Sequence, residues 1–183
     1  MKNPGDQIHI EKVKKGDLGS FTFLVDKYKN MAYTIAFKIL GNAEDAEDVA
    51  QESFVKAFLQ INAFQGKSKF STWLYTIVYR TSVSKLQQDK FQFLSIDEEI
   101  SENYNDDHST PQIEQLQATE RDKFVKDAIQ KLPKIESLLI TLYYMNENSV
   151  EEIGEITGLS AANIKVKLFR ARKVLGKELQ FLL

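Results

Sequence analysis

The chain has 183 residues, no cysteine, and a formal net charge of −2 from 24 basic and 26 acidic side chains. Without cysteine it forms no disulfide and performs no thiol chemistry, which fits a cytoplasmic protein. It has no run of eighteen apolar residues and no apolar signal-peptide core at the N-terminus, so no membrane insertion is expected.

The charge is unevenly distributed along the chain. Residues 1–86 carry 12 basic and 9 acidic side chains, a net charge of +3. Residues 87–119 carry 1 and 8, a net charge of −7, and residues 120–183 carry 11 and 9, a net charge of +2. The acidity therefore comes from the middle of the chain, and the two ends remain compatible with a nucleic-acid partner.

Three or four helices are predicted before residue 87, and sequence signals place three of them. Asp17 is a typical N-cap for the first helix, and Gly41 ends it because glycine readily adopts the left-handed conformation. Asn42 caps the second helix. A polar loop over residues 65–69 leads into a third helix over residues 70–85. Helical spacing assigns the buried side of this third helix to Trp73, Leu74, Ile77 and Val78.

The segment over residues 87–119 is predicted to be a flexible acidic linker. It has no sustained apolar period, so it cannot bury enough apolar surface to offset the entropy lost on ordering. Two further helices are predicted after it, over residues 117–131 and 135–144, with Pro133 at the break between them.

The last quarter of the chain is typical of a helix-turn-helix. Ser149 and Glu152 form a capping box for a short helix over residues 150–157, and Gly158 supplies the turn. Ser160 caps the next helix. The buried stripe of that helix is predicted to be Ile164, Leu168, Ala171 and Leu175.

The opposite face of this last helix is basic. Six basic residues and no acidic one lie between residues 163 and 177. Val166, Phe169, Arg170 and Lys173 point away from the stripe, with Lys165 and Lys167 at its flanks. Such a helix suits the DNA major groove, although an ordinary core helix with a solvated basic face has the same pattern. No two-residue strand period occurs, so we predict an all-α protein with two small helical domains, residues 1–86 and 120–183.

Three segments in this order resemble the conserved regions of bacterial sigma factors. Residues 45–54, DAEDVAQESF, resemble the signature of the second conserved region, and residues 64–77, FQGKSKFSTWLYTI, the loop and helix that handle the −10 promoter element. Residues 132–133, 152–160 and 163–172 resemble the domain that reads the −35 element. The chain is similar to an extracytoplasmic-function (ECF) sigma factor of the sigma-70 family.

The resemblance implies that the second helix carries a surface that docks on core RNA polymerase. The implied partner site is the clamp helices of the largest polymerase subunit. Three of its acids fall at i, i+3 and i+7, which makes one polar ridge. A solvated acidic helix face is the alternative. The residues implied are Asp45, Asp48, Gln51, Glu52 and Phe54.

The resemblance also implies that the loop after Phe64 sets −10 specificity by accepting a flipped base. The segment over residues 64–85 has four basic residues, no acid, and the aromatic residues Phe70, Trp73, Tyr75 and Tyr79. Basic groups hold phosphates and aromatic rings replace lost base stacking, although spacing places Trp73 in the core. Arg80 stands where the family usually has asparagine. Ser84 stands where the family usually has asparagine or aspartate. The residues implied are Gln65, Gly66, Lys67, Ser68, Lys69, Arg80 and Ser84.

For the −35 element, Lys165, Val166, Phe169 and Arg170 match the positions that contact DNA in the family. Arg170 or Lys165 suits a guanine edge, and the two apolar side chains suit a thymine methyl group. Lys167 stands where arginine is usual, and Lys173 suits a phosphate contact.

The implied partners are core RNA polymerase, including the flap of its second-largest subunit, promoter DNA, and an anti-sigma factor. His9 and His108 are isolated, and no residues have the spacing of a catalytic or metal site, so neither an enzyme nor a cofactor is expected. The rival hypothesis is a simple helix-turn-helix regulator of duplex DNA. Residues 45–80 discriminate, because such a regulator needs neither the acidic ridge nor the basic aromatic loop.

Overall fold

The computed structural model describes residues 4–94 and 118–180, and within these ranges it contains helices and no strand. This confirms the all-α prediction. In chain order the elements are α1 (Pro4–Lys14), α2 (Leu18–Leu40), α3 (Ala43–Leu59), a 3-10 turn (Ile61–Ala63), α4 (Phe70–Leu94), α5 (Ala118–Gln130), α6 (Lys134–Ile140), a π-helical turn (Thr141–Met145), α7 (Val150–Thr157) and α8 (Ala161–Glu178).

Local capping interactions start four of these helices where the sequence predicts. Asp17 accepts a hydrogen bond from the Ser20 amide, and Asn42 accepts one from the Glu44 amide. Ser149 and Glu152 form the complete capping box of α7. Ser160 caps α8 by accepting from the Asn163 amide at 3.3 Å. The glycine stops are also correct, since Gly41 has φ 81° and Gly158 has φ 75°.

Two boundaries differ from the prediction. α4 continues to Leu94, so residues 87–94, which were predicted to belong to the linker, are helical. The rest of the predicted linker, residues 95–117, lies outside the described residues. The predicted helix over residues 135–144 is divided into α6 and a π-helical turn. In addition, α1 is the fourth helix before residue 87, which the sequence patterns left open and did not place.

Helices α1 to α4 form one bundle and α5 to α8 the other. In the first bundle α2 is central and packs against α1, α3 and α4. In the second, α8 packs on α6 and α7. Side chains that are almost fully buried in the two bundles include Leu24, Ile35, Leu74 and Val78 in the first and Leu138, Leu142, Ile153 and Ile164 in the second.

The two bundles pack directly against each other. Helix α7 lies on α4, and α6 lies on α2, so the buried apolar residues form one continuous cluster. Lys134 at the start of α6 donates to the carbonyl oxygens of Ile39 and Leu40 at 3.0 and 3.2 Å. A lysine at the C-terminal end of a helix satisfies carbonyls without intrahelical partners and complements the helix dipole.

Candidate polymerase and nucleic-acid interface

The predicted docking surface lies on α3, and its residues are placed unequally. Asp48, Gln51 and Glu52 are exposed, and Glu52 pairs with Lys56 at 2.7 Å. Asp45 is half-buried and lies 3.4 Å from Lys85 of α4. Phe54 is only 7% exposed and belongs to the core. The accessible part of the surface is therefore polar, with Phe54 packed beneath it.

Two exposed apolar side chains extend this surface and were not singled out in the sequence. Val55 is 58% exposed and Leu59 is 73% exposed. They lie seven and eleven residues after Asp48, which places all three on one side of α3. A helical-wheel projection of α3 contains this signal, because both side chains fall on the polar face rather than on the apolar one. We define the docking ridge as Asp45, Asp48, Gln51, Glu52, Val55 and Leu59.

The predicted −10 loop, residues 65–69, joins the 3-10 turn to α4. Gln65 and Lys67 are exposed, Ser68 is half-buried, and Gly66 has φ 66°, a conformation that favours glycine. Aromatic side chains anchor both ends of the loop. The ring of Phe64 meets the ring of Phe70 edge-to-face at 5.7 Å. The loop is thus short, basic and held at both ends.

The first half of α4 supplies fewer accessible aromatic rings than the sequence suggests. Phe70 is 3% exposed and Tyr75 is 1% exposed, so neither is free to stack on a base in this arrangement. Burial, with the nearby Asp6 charge, raises the pKa of Tyr75 and keeps its hydroxyl neutral. Trp73 is half-buried against Phe64 at 5.2 Å. The core assignment of Leu74, which is fully buried, is correct.

Farther along α4, Arg80 and Ser84 are both exposed. They lie on the side of α4 that also carries Trp73 and Ile77, because positions 73, 77, 80 and 84 recur every three or four residues. Lys85 adjoins Ser84 and contacts Asp45. The structure therefore brings the beginning of the docking ridge beside the far end of this α4 surface.

Helix α7 covers the beginning of the same α4 surface. Lys69 Nζ lies 2.7 Å from Glu152 Oε1, and the Thr76 hydroxyl is 3.4 Å from the Glu155 carbonyl oxygen. Burial raises the pKa of Glu152, but hydrogen bonds from Lys69, the Ser149 amide and Asn148 together lower it below its ordinary value of 4.5. The carboxylate that caps the helix-turn-helix thus also binds a predicted −10 residue.

The outward face of α8 agrees with the predicted arrangement. Ile164, Leu168 and Ala171 are buried. The exposed residues among the predicted set are Lys165, Val166, Phe169, Arg170 and Lys173. Val166 and Phe169 expose 48% and 63% of their surface, so both apolar side chains are accessible on this face.

Lys167 differs from the other predicted −35 residues. Its ammonium group binds Glu136 of α6 at 3.0 Å, and its side chain is only 24% exposed. In this structure Lys167 braces α8 against α6. The side chains of Lys165, Val166, Phe169, Arg170 and Lys173 are therefore accessible on the outward face of α8, whereas Lys167 has an internal partner.

Over residues 4–94 and 118–180, none of the helices combines the length and the apolar content that crossing a bilayer requires. In the same part of the chain, no three histidine or carboxylate side chains lie close enough together to hold a metal ion.

Comparisons with known proteins agree with this organisation. Residues 24–91 match the model of sigma-70 region 2, and residues 125–175 match that of sigma-70 region 4. The ECF RNA polymerase sigma factor SigW of Bacillus subtilis is 34% identical over 179 residues, 93% of this chain and 95% of the relative. The ECF RNA polymerase sigma-E factor of Haemophilus influenzae is 34% identical over 182 residues, 96% of this chain and 95% of the relative.

Solved structures with the same fold include two proteins bound to partners. The sigma factor RpoE in complex with the anti-sigma factor NepR from Bartonella quintana has a TM-score of 0.66 at 22% identity, covering 87% of this chain and 96% of that one. CnrH in complex with the cytosolic domain of CnrY has a TM-score of 0.61 at 20% identity, covering 96% and 97%. Since both sigma-70 region models match in order and full-length relatives exceed 30% identity, the chain belongs to the ECF RNA polymerase sigma factors of the sigma-70 family.

Proposed function

We propose that this chain directs promoter-specific initiation by docking on core RNA polymerase, capturing the −10 element and reading the −35 element. The polymerase performs the chemistry, so the chain itself is not an enzyme, and it acts in the cytoplasm with the polymerase. The observation that carries this proposal is the pairing of an exposed basic face on α8 with an exposed acidic and apolar ridge on α3. A simple duplex-binding regulator has no use for the second surface.

The docking ridge has the composition of a protein interface. Asp48, Gln51 and Glu52 offer acceptors to basic partner side chains, and arginine pairs with carboxylates particularly well. Val55 and Leu59 add apolar area that binding to core polymerase would remove from water. Phe54 supports this surface from within. The predicted partner site is the pair of clamp helices in the largest polymerase subunit.

The −10 loop is suited to hold a melted strand. Gln65 and Lys67 project from a loop whose ends are fixed, and Gly66 allows the backbone to turn between them. Arg80 and Ser84 continue the polar surface along α4, where arginine neutralises a phosphate or binds a guanine edge. Together with Ser68 and Lys69, these residues form the proposed −10 surface.

On α8, Arg170 and Lys165 are placed to read guanine edges, and Val166 and Phe169 to contact a thymine methyl group. Lys173 is placed to bind a phosphate. Lys167, through Glu136, fixes the angle of α8 against α6. The same domain would contact the flap of the second-largest polymerase subunit.

Reading both elements at once requires the two bundles to separate. A folded chain of this length has a radius of gyration of about 16 Å and is about 40 Å across. The two elements are named for positions about 25 base pairs apart, which is about 85 Å of duplex at about 3.4 Å per base pair. The contact between Lys69 and Glu152 must therefore break in the promoter complex.

Control by an anti-sigma factor is part of the proposal. One solved protein of this fold was captured with an anti-sigma factor, NepR, and another, CnrH, with the cytosolic domain of CnrY. A partner that binds the packed arrangement would keep the −10 and −35 surfaces too close together for a promoter.

The deciding experiment combines the purified chain with sigma-free bacterial core RNA polymerase and then maps transcripts by genome-wide run-off transcription. We expect stable binding and new start sites downstream of a shared two-part element. Retained binding to duplex DNA without binding to core polymerase would instead identify a simple helix-turn-helix regulator.

A further inference from the structure

Helix α1 is the one described helix that lies wholly outside both matched family regions, which span residues 24–91 and 125–175. It is nevertheless firmly packed. Ile10 and Val13 are buried in the core, and α1 contacts both α2 and the 3-10 turn that precedes the −10 loop. Helix α1 therefore lies next to the start of that loop.

One end of the loop is held by the end of α1. Lys14 donates a hydrogen bond from Nζ to the Phe64 carbonyl oxygen at 2.8 Å, across fifty positions of sequence. Phe64 immediately precedes the loop, and its ring is 5% exposed. A charge-assisted hydrogen bond to the backbone at this point fixes the direction in which the loop leaves the 3-10 turn.

The other end of the loop is held through the beginning of α1. Asp6 is 3% exposed and accepts hydrogen bonds from the Tyr28 hydroxyl and from Lys27, both at 2.5 Å. The Tyr28 ring packs on Phe70, with ring centroids 5.7 Å apart, and on Tyr75 at 6.0 Å. Phe70 is the first residue of α4 and directly follows the loop.

The first half of α1 also borders the loop itself. Asp6, Gln7 and Ile10 face Ser68 and Lys69 across a small crevice. Helix α1 therefore contacts the loop entry directly, reaches the loop exit through Tyr28 of α2, and lines a crevice together with two loop residues. A loop that must accept a flipped base gains affinity and selectivity when its geometry is fixed before binding, because less ordering accompanies binding.

We propose that α1 is a positioning element for −10 recognition, with Lys14 and Asp6 holding the two ends of the −10 loop. This inference rests on the proposed function of that loop. It assigns to Lys14 and Asp6 no direct contact with DNA or polymerase. Their loss should therefore change how well the loop distinguishes promoter sequences, and should leave core docking and −35 binding unchanged.

The test uses the full chain bound to core polymerase and promoters whose −10 element, once mapped, is either intact or changed at one base. Lys14→Met keeps most of the aliphatic stem and removes the donor. Because one net hydrogen bond corresponds to about a fivefold change in an equilibrium, we expect about fivefold weaker discrimination in open-complex formation. Asp6→Asn, which keeps an acceptor but removes the charge, should act in the same direction, and Lys14→Arg should restore discrimination.

Lys15→Met is the matched control. It removes the same positive charge from the next residue along the chain, whose side chain is exposed. It should behave as the unmodified chain. Three results would overturn the inference. The first is equal discrimination by Lys14→Met and Lys15→Met. The second is a uniform loss across all −10 sequences with a reduced salt dependence, which would make Lys14 a phosphate contact. A parallel loss of core affinity and −35 binding would also overturn it, by showing a general effect on folding.

The loop variant Lys67→Ala separates this inference from the proposed function. If Lys67→Ala leaves −10 capture intact, the proposed role of the loop is wrong, and α1 has nothing to position. If Lys67→Ala weakens −10 capture and Lys14→Met does not change discrimination, only the inference about α1 fails.

Discussion

Glu152 shows how one side chain joins local folding to the arrangement of the whole molecule. Its carboxylate accepts from the Ser149 amide at 3.0 Å, which completes the capping box of α7, and it also binds Lys69 at 2.7 Å. The first interaction is local and follows from sequence spacing. The second joins residues that are far apart in the chain, and no sequence pattern indicated it.

Substitution of Glu152 separates these two roles. Glutamine also completes a capping box, so Glu152→Gln should lose only the partly exposed ion pair, about 0.5 kcal/mol of unfolding free energy, whereas Glu152→Ala should lose about 1 kcal/mol more. Urea denaturation at pH 7 measures both. Equal stability of the two variants would show that Glu152 does not cap α7.

The same residue predicts a pH dependence. Because the folded-state pKa of Glu152 lies below 4.5, its stabilising contribution is complete above pH 4.5 and is lost as the pH falls through the lower folded value. The stability difference between the unmodified chain and Glu152→Gln should therefore shrink below pH 4.5. Denaturation curves at pH 7 and pH 4 provide the measurement, and a constant difference would contradict the assignment.

Arg170 and Lys173 are both exposed on α8, but we expect their removal to have different effects on DNA binding. Arg170→Ala should cost about 1–3 kcal/mol at one base pair and relax specificity there. Lys173→Ala should weaken binding to every sequence alike and lower the salt slope by about one. Anisotropy titrations of −35 duplexes over a range of salt concentrations distinguish the two, and uniform weakening by Arg170→Ala would make it a phosphate contact.

At the scale of helices, substitutions on α3 test whether this helix docks on core polymerase. Asp48→Ala combined with Gln51→Ala should weaken core binding about tenfold while leaving the melting temperature unchanged, since both side chains are exposed. Asp26→Ala with Asn30→Ala is the matched control, because it removes an exposed aspartate and an exposed amide from α2. Competition for core polymerase against the unmodified chain measures both. Full affinity of the α3 variant would refute the docking assignment.

The helix starts were predictable because their signals are local. Asp17, Asn42, Ser149 and Ser160 each satisfy an amide within two or three residues, so sequence spacing alone reveals them. Helix α1 offered no such signal. Its Ile8 is 59% exposed whereas Ile10 is buried, so its apolar residues do not form a clean helical stripe.

The end of α4 was placed too early for a related reason. Residues 87–94 contain one acidic and one basic residue, whereas seven of the eight acids of the segment 87–119 follow residue 96. Averaging the composition over the whole segment assigned the helical residues to the linker. Likewise, the roles of Phe54, Tyr75 and Lys167 depend on burial or on a distant partner, which a family signature does not encode.

At the scale of the molecule, the packed arrangement leaves the two proposed DNA surfaces in different states. The outward face of α8 is exposed. The beginning of the −10 surface is covered, because Lys69 and Thr76 contact α7. The packed chain should therefore bind an isolated −35 duplex but should not initiate on a promoter that carries both elements.

A reversible crosslink between the bundles tests this expectation. Because the chain has no cysteine, Leu40→Cys with Lys134→Cys introduces a single reactive pair where α6 meets α2, away from all proposed DNA contacts. A short bis-methanethiosulfonate links the two thiols through reducible disulfides, releasing methanesulfinate at each end. The treated chain should retain −35 duplex affinity within about twofold, yet lose initiation until the link is reduced.

Each single cysteine variant, treated with the same reagent, controls for modification alone. Restored initiation after reduction would show that separation of the bundles, rather than chemical damage, is what the crosslink prevents. Full initiation by the crosslinked chain would mean that both elements are read without separation. That result would contradict the requirement for separation, because a body about 40 Å across cannot contact two sites about 85 Å apart on straight duplex.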